Sequence, residues 1–412
     1  MTPRDVVPLE RAALLRALAR CLAGDDRPEP RAALRESLTR ETGAKHAALF
    51  PDARTGLHAL LRWVGTRAPG SEVLLPDYNF FAVPAMVRRA ALRPVFVDVR
   101  GPHGEMDLDL AARAVTPRTR AVMLGHFFGR PNDLHAWRAF AEARGLWLVE
   151  DCAHAFGASM AGRSVGRWGL GGAFSLSLTK GLTGVMGGAV ITDDDEVAAW
   201  LKAQERESPT LPRAEVARSL LSALGGTVMF GDTLYPLALQ HLQRAVGGDL
   251  YETLMRERPL ACDPPAVPTY AAMPSVCAEL ARSHLPRALR DIDGQRARAR
   301  AVIEAAPFRG VEAPTWEDDR RATFVNLVLR AEDPRGLRAS LHRAGFDTRG
   351  DYLTSSTGDA TRFPVSVRLA ASGVYLPVRA IRSDEELARM IAALRREGGG
   401  RPGVRMNSMG PQ

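Results

Sequence analysis

An alternation that runs from residue 47 to residue 150 limits the possible folds more than any other feature of this chain. Short, nearly uninterrupted apolar runs repeatedly give way to stretches with helical spacing. Ala47-Ala-Leu-Phe50, Glu72-Val-Leu-Leu75, Pro94-Val-Phe-Val-Asp98, Ala121-Val-Met-Leu-Gly125 and Leu146-Trp-Leu-Val-Glu150 read as strands, with helices at 54–66, 80–91, 107–115 and 133–144 between them. A strand that is apolar on both faces has to be covered on both, and a helical crossover is the usual way to return to a parallel neighbour. The pattern therefore predicts an α/β fold with a large, mostly parallel sheet sandwiched by helices. In such sheets ligands collect beyond the carboxyl ends of the strands. Asp77 to Phe81, Asp98, His126 and Asp151 fall at those ends. Gly187-Gly-Ala-Val-Ile-Thr192 reads as a further strand, and 195–207 as a helix.

With 412 residues the chain exceeds one ordinary core, and two domains are expected. The larger covers 1–270. It opens with helices within 8–42 and carries a less regular stretch at about 208–268, with apolar runs at Ser219 to Leu224, Thr227 to Phe230 and Leu234 to Leu242. Residues 271–397 form a long linking helix, about 275–305, and a smaller α/β unit with a strand at 323–329 and helices at 334–344 and 383–397. The Gly-, Pro- and Ser-rich tail 398–412 is expected to be disordered. A net charge of +8 raises the question of nucleic acid. The arginines, however, are scattered among acidic residues on amphipathic helices, with no basic run interleaved with aromatics, so no nucleic-acid partner is expected. Cys21, Cys152, Cys262 and Cys277 lack metal-ligand spacing, which points to neither a zinc site nor a disulfide framework. The absence of a long apolar stretch and of a signal core makes a cytoplasmic, soluble protein the expectation, with membrane contact unlikely.

Against this arginine-rich background the lysines are conspicuous. There are three, Lys45, Lys180 and Lys202, against 52 arginines. Lys180 sits in the apolar, glycine-flanked run Ser175-Leu-Ser-Leu-Thr-Lys180-Gly181. A lysine amine can lose its proton in a desolvated pocket and add to a carbonyl, whereas a guanidinium stays charged. Lys180 can be such an amine or a surface residue, and its neighbours decide. Asp151 ends a buried parallel strand, where a carboxylate either caps the next helix or meets a cation. An imine-forming lysine, an aspartate able to hold a heteroaromatic nitrogen protonated and a phosphate-binding hydroxyl at Ser175 are the parts that pyridoxal phosphate requires.

Glu150-Asp-Cys-Ala-His-Ala-Phe-Gly-Ala158, Gly162-Arg-Ser-Val-Gly166, Ala173-Phe-Ser-Leu-Ser-Leu-Thr-Lys180 and Gly187-Gly-Ala-Val-Ile-Thr-Asp193 together resemble the DegT/DnrJ/EryC1/StrS aminotransferases. The likeness begins near residue 40, includes Pro76-Asp-Tyr-Asn-Phe-Phe-Ala82 and Gly125-His-Phe-Phe-Gly-Arg-Pro131, and runs with a gap to about 395. It implies an aspartate-aminotransferase-like, fold-type-I architecture with pyridoxal 5'-phosphate as cofactor and no metal. Lys180 would form the Schiff base and shuttle the proton, Asp151 would pair with the ring nitrogen, and His154 would lie beside the phenolic oxygen. Ser175 would bind the phosphate. Phe80, which by itself can equally be core packing, would stack on the ring. Where many relatives carry Ser-Gly-Thr at the first helix, this chain has Asp52-Ala-Arg-Thr55. Phosphate contacts there are assigned to Ala53, Arg54 and Thr55, helped by the helix dipole.

The resemblance further implies ping-pong transfer from glutamate or glutamine to a keto sugar, nucleotide-linked or otherwise, or a related polyol, in a homodimer with active sites near the subunit interface. A lyase or dehydratase using the same cofactor and a non-catalytic regulatory protein are the alternatives. The family's cross-subunit Asn and Arg are replaced by Tyr270 and Ala272, and Gly350-Asp-Tyr352 stands where relatives carry a histidine-containing loop.

Overall fold

Five helices start on an aspartate that accepts a backbone amide two or three residues further on: Asp52, Asp107, Asp133, Asp194 and Asp333. Each such cap satisfies an amide that the helix leaves unpaired and places negative charge at the positive end of the helix dipole. These caps fix where the crossover helices begin in a computed structural model that describes residues 2–3, 6–229, 270–350 and 352–397.

The principal sheet has seven strands: β1 (His46–Phe50), β2 (Glu72–Pro76), β3 (Arg93–Val97), β4 (Thr119–Gly125), β5 (Trp147–Asp151), β6 (Gly171–Ser175) and β7 (Gly188–Thr192). Their order is β1-β7-β6-β5-β4-β2-β3. Pairing is parallel from β3 through β6, and β7 runs antiparallel to both β6 and β1. The predicted parallel sheet is therefore present, with β7 as the one reversed strand. Leu49, Leu74, Val122 and Leu148 bury one face of the sheet, while Ala48, Val73, Leu75, Met123 and Val149 bury the other. Both faces are covered, as apolar strands of this kind require, and each fully buried Leu or Val contributes about 1.5–3 kcal/mol.

A second sheet of four short strands lies C-terminal to the 30-residue helix Ser275–Glu304. Its central pair is β8 (Leu327–Ala331) and β10 (Gly373–Leu376), and β9 (Arg349–Gly350) pairs with β10. The strand expected at 323–329 starts four residues late. Phe324 adopts a positive φ of 47°, and the Thr323 amide donates 2.8 Å to the Gly129 carbonyl. That segment is drawn across to the principal sheet before it can extend.

The stretch at 208–268 is more regular at its start than the sequence suggested. Residues Arg213–Met229 form a 17-residue helix lying antiparallel to the helix Arg11–Leu22. Arg11 Nη2 donates 3.0 Å to the Thr227 carbonyl at one end, and Cys21 Sγ lies 3.6 Å from the Arg213 carbonyl at the other. Leu220 and Ala223 are buried against the core. The remainder of that stretch to 268, the tail from 398 and Asp351 lie outside the described residues. No described helix is long and apolar enough to cross a membrane.

Glu150 ties these parts together. Its carboxylate, fully buried, accepts from the amides of Gly166 at 2.7 Å and Trp168 at 2.8 Å, and from His126 Nε2 at 3.0 Å. The His126 tautomer follows, because its Nδ1 accepts the Asn132 amide at 3.2 Å and so Nε2 carries the proton. Glu150→Ala leaves two buried amides and an imidazole unsatisfied. It is expected to cost about 3–5 kcal/mol, read as a lower urea midpoint with an unchanged slope.

His58 and His284 are both pushed down to about 4 by burial. The unfolded chain protonates each of them near pH 6.5, so their contribution is intact above that pH and is lost as pH falls from about 6.5 to 4. Urea unfolding at pH 7 and pH 5 should show this loss. His284→Gln, which can still accept the Thr183 amide bonded to His284 Nδ1, should show less of it, by about 1–2 kcal/mol.

Candidate active site

The carboxyl end of β5 places Asp151 level with Gly125 of β4 and Ala173 of β6. Its main-chain oxygen accepts the His126 amide at 3.0 Å, and its side chain accepts the Ala153 amide at 3.0 Å. Burial raises the Asp151 pKa, while the Ala153 amide, the Lys180 ammonium and His126 pull it down. A carboxylate placed this way prefers a cation in front of it.

Lys180 follows β6 in a turn closed by its own amide on the Ser177 carbonyl at 3.0 Å. The hydroxyls of Ser175 and Ser177 lie 3.1 Å apart. Ser175 is paired with Gly188, and neighbouring Gly187 bridges to Asp52 at the start of the Ala53–Arg67 helix. This approach needs glycine, since a Cβ on Gly188 would come within 2.4 Å of the Asp52 backbone. The serine hydroxyls and the first helix amides are thereby brought to one end of a cavity of about 290 Å³.

Lys180, Asp151, His154, Ser175, Phe80, Ala53 and Arg54, all singled out in the sequence, line this cavity. Thr55 does not. It is fully buried, and its amide, which would have served an anion, donates 2.8 Å to the Asp52 carboxylate. Asp52 was not anticipated. Its carboxylate caps the helix at the anion end of the cavity, with Arg54 Nη2 at 3.6 Å from it. His154 Nδ1 accepts the Phe128 amide at 3.3 Å, its ring stacks on Phe128, and its Nε2 meets the Tyr352 hydroxyl. Burial, with Lys180 and Arg349 nearby, holds His154 well below the ordinary histidine pKa, hence neutral.

The opposite wall comes from the C-terminal sheet: Val325, Asn326, Arg349, Tyr352 and Leu353. Asn326 and Arg349 were missed, because they lie in no local motif and only the docking of the two sheets brings them to the cavity. Tyr270 turns inward. Its hydroxyl is 2.8 Å from His58 Nδ1 of the same chain, and the Ala272 amide donates to the Pro209 carbonyl at 2.7 Å. His126, Glu150 and Cys152 place potential ligand atoms within 4.8 Å of one another, yet the Glu150 oxygens and both His126 nitrogens are already engaged in the hydrogen bonds above.

Residues 28–214 match the DegT/DnrJ/EryC1/StrS aminotransferase family. That stretch, somewhat under half of the chain, is similar to this family. It is 34% identical over 171 residues to the UDP-4-amino-4-deoxy-L-arabinose–oxoglutarate aminotransferase of Shewanella sediminis, covering 42% of this chain and 44% of the relative. With the dTDP-3-amino-3,4,6-trideoxy-alpha-D-glucose transaminase of Micromonospora megalomicea subsp. nigra it shares 50% identity over 111 residues, 27% of this chain and 30% of the relative. The matched segments thus span less than half of either relative. The fold likeness extends further: a sugar aminotransferase structure from Micromonospora echinospora superposes with a TM-score of 0.73 at 21% identity, covering 96% of this chain and 99% of that one.

The DegT family implies pyridoxal 5'-phosphate, and the residues present fit it. A half-buried carboxylate suits a protonated ring nitrogen, a lysine amine faces the same cavity, and two serine hydroxyls and helix amides stand at one end for the phosphate. The Asp52 charge works against that phosphate. Asp52→Asn keeps a capping side chain and removes the charge. It should tighten binding of pyridoxal phosphate about three-fold with little change in melting temperature, as measured by calorimetry and thermal unfolding.

Proposed function

We propose that the protein is a pyridoxal-phosphate-dependent aminotransferase that takes an amino group from glutamate or glutamine and delivers it to the keto group of a nucleotide-linked sugar or related polyol. The convergence of Lys180, Asp151 and Ser175, from the ends of β5 and β6 and the turn that follows β6, on one cavity carries this reading. The names of the UDP- and dTDP-sugar relatives supply the substrate class. When bound, the cofactor supplies an electron sink for the carbon that gains or loses the amino group.

The chain's own groups then have distinct tasks. Lys180 would hold the cofactor through its amine and would take and return the proton at the reacting carbon. Asp151, ionised opposite a cation, keeps the ring nitrogen protonated. Neutral His154, held by the Phe128 amide and Tyr352, offers hydrogen bonding beside the ring without adding charge. Ser175, Ser177 and the amides of Ala53 and Arg54 hold the phosphate, assisted by the helix dipole. Phe80 limits the ring's movement. The functional unit we propose is a homodimer, with the active sites near the subunit interface.

Two measurements test this. Wild-type protein mixed with pyridoxal phosphate should develop the visible absorbance of the covalently bound cofactor, and Lys180→Ala should not. Adding L-glutamate alone should then discharge the band and release one 2-oxoglutarate per site. Cofactor binding with neither 2-oxoglutarate released from L-glutamate nor 2-oxoglutaramate from L-glutamine would assign the lyase reading instead, and no band in the wild type would leave a non-catalytic protein.

A further inference from the structure

A second cavity, of about 520 Å³, opens where the helices Arg11–Leu22, Arg213–Met229 and Ser275–Glu304 meet the segment 379–382. Among the described residues it shares no lining side chain with the cavity around Lys180. Arg379 stands between the two: it lines this cavity, and its Nη1 donates 3.2 Å to the carbonyl of Thr179, which lines the other. The charge of the second cavity is one-sided. Arg11, Arg287, Arg298, Arg379 and Arg382 face it against Asp291 alone among the described residues. Arg287, Asp291, Gln295 and Arg298 follow one another at helical spacing on the long helix and so share one face. From Arg287 to Arg298 that stripe runs for about 16 Å. Cations spread over such a length suit an anion with two charged groups better than one with a single group.

Two observations separate this arrangement from a solvated basic face. Gln295 is only 2% exposed, yet its side chain, on the cavity wall, makes no hydrogen bond among the described residues. A buried amide costs about 1–3 kcal/mol until it finds a partner. Arg298, half-buried, commits Nε to the Val378 carbonyl at 2.6 Å, and its two Nη groups make no hydrogen bond among the described residues. The other arginines complete the grip. Arg287 has Asp291 as its ion pair at 3.6 Å, beyond hydrogen-bond reach. Arg11 is aimed by Thr227, whose hydroxyl and carbonyl accept its Nε at 3.2 Å and its Nη2 at 3.0 Å.

We infer that this cavity binds the diphosphate group of a small molecule, a ligand distinct from the one that reacts at Lys180. Arg287, Arg298 and Arg11 hold the phosphoryl oxygens through charge-assisted N–H bonds, and the Gln295 carboxamide donates to the same group. The volume is that of a small-molecule site. The inference stands apart from the aminotransferase reading, since none of these residues takes part in it.

The test uses the full-length protein loaded with pyridoxal phosphate and freed of excess, with inorganic pyrophosphate as the probe. Calorimetry should show binding to the wild type tighter than about 1 mM, weakening as salt is raised. Orthophosphate should bind about ten-fold more weakly. Arg287→Gln and Arg298→Gln should each weaken pyrophosphate binding about ten-fold. Gln295→Glu keeps the shape of the side chain and sets a carboxylate among arginines, so it should abolish binding with the melting temperature at or above the wild-type value. Asp291→Asn removes the opposing charge and should tighten binding about three-fold, a gain that loss of packing cannot produce. If the wild type binds pyrophosphate no tighter than about 1 mM, if orthophosphate binds equally well, or if Gln295→Glu, Arg287→Gln and Arg298→Gln all bind as the wild type does, the inference is wrong. Should no cofactor be taken up, the aminotransferase reading fails, and the same titration on the protein as it stands still decides this one.

Discussion

The site depends on a buried carboxylate that does no chemistry. Glu150 precedes Asp151 in β5, and it accepts two amides from the loop after β5 and the Nε2 proton of His126 at the end of β4. With both oxygens satisfied, the ionised group is tolerated where a bare charge would cost several kcal/mol. Because side chains alternate along a strand, fixing Glu150 toward one face fixes Asp151 toward the other. The working carboxylate is therefore aimed by the one that holds the sheet, and a change at either is felt at both.

Two surfaces meet over that strand end, and they differ in kind. The principal sheet contributes groups that follow one another closely in sequence: the β5 end, the β6 turn with Lys180, and the start of the helix at Ala53. Glycines at 187 and 188 let backbone approach backbone there. The C-terminal sheet contributes Asn326, Arg349 and Tyr352, joined to the first surface by the Tyr352 contact with His154 and by Arg379, which donates 3.2 Å to the Thr179 carbonyl. Both surfaces line the one cavity, the first with Lys180, Asp151 and Ser175 and the second with Asn326, Arg349 and Tyr352.

The same division explains which parts were legible in the sequence. Strands from 46 to 151 and their crossover helices could be read because a strand buried on both faces has to be apolar throughout and a helix on its surface has to repeat every three to four residues. Asp151, His154, Ser175 and Lys180 could be read because they lie within thirty residues of one another, in runs whose spacing the chemistry restricts. Asp52 shows the limit. Its carboxylate takes the Thr55 amide as a local cap, but its place at the anion end of the cavity depends on the approach of Gly188. The strand expected at Thr323 was misplaced for a related reason: a tertiary hydrogen bond to Gly129 overrode a locally extended pattern.

By itself, the sequence determined the layered fold, the order of its elements and most of the residues that line the cavity, because burial pattern and chemical spacing are local properties of the chain. Only the tertiary structure decided that Tyr270 bonds to His58 of its own chain, that Arg213–Met229 packs on Arg11–Leu22, and that Arg349 and Asn326 share a cavity with Lys180. These are contacts between residues some 145 to more than 200 positions apart in the chain. No periodicity records them, since each depends on how two independently formed surfaces fit together.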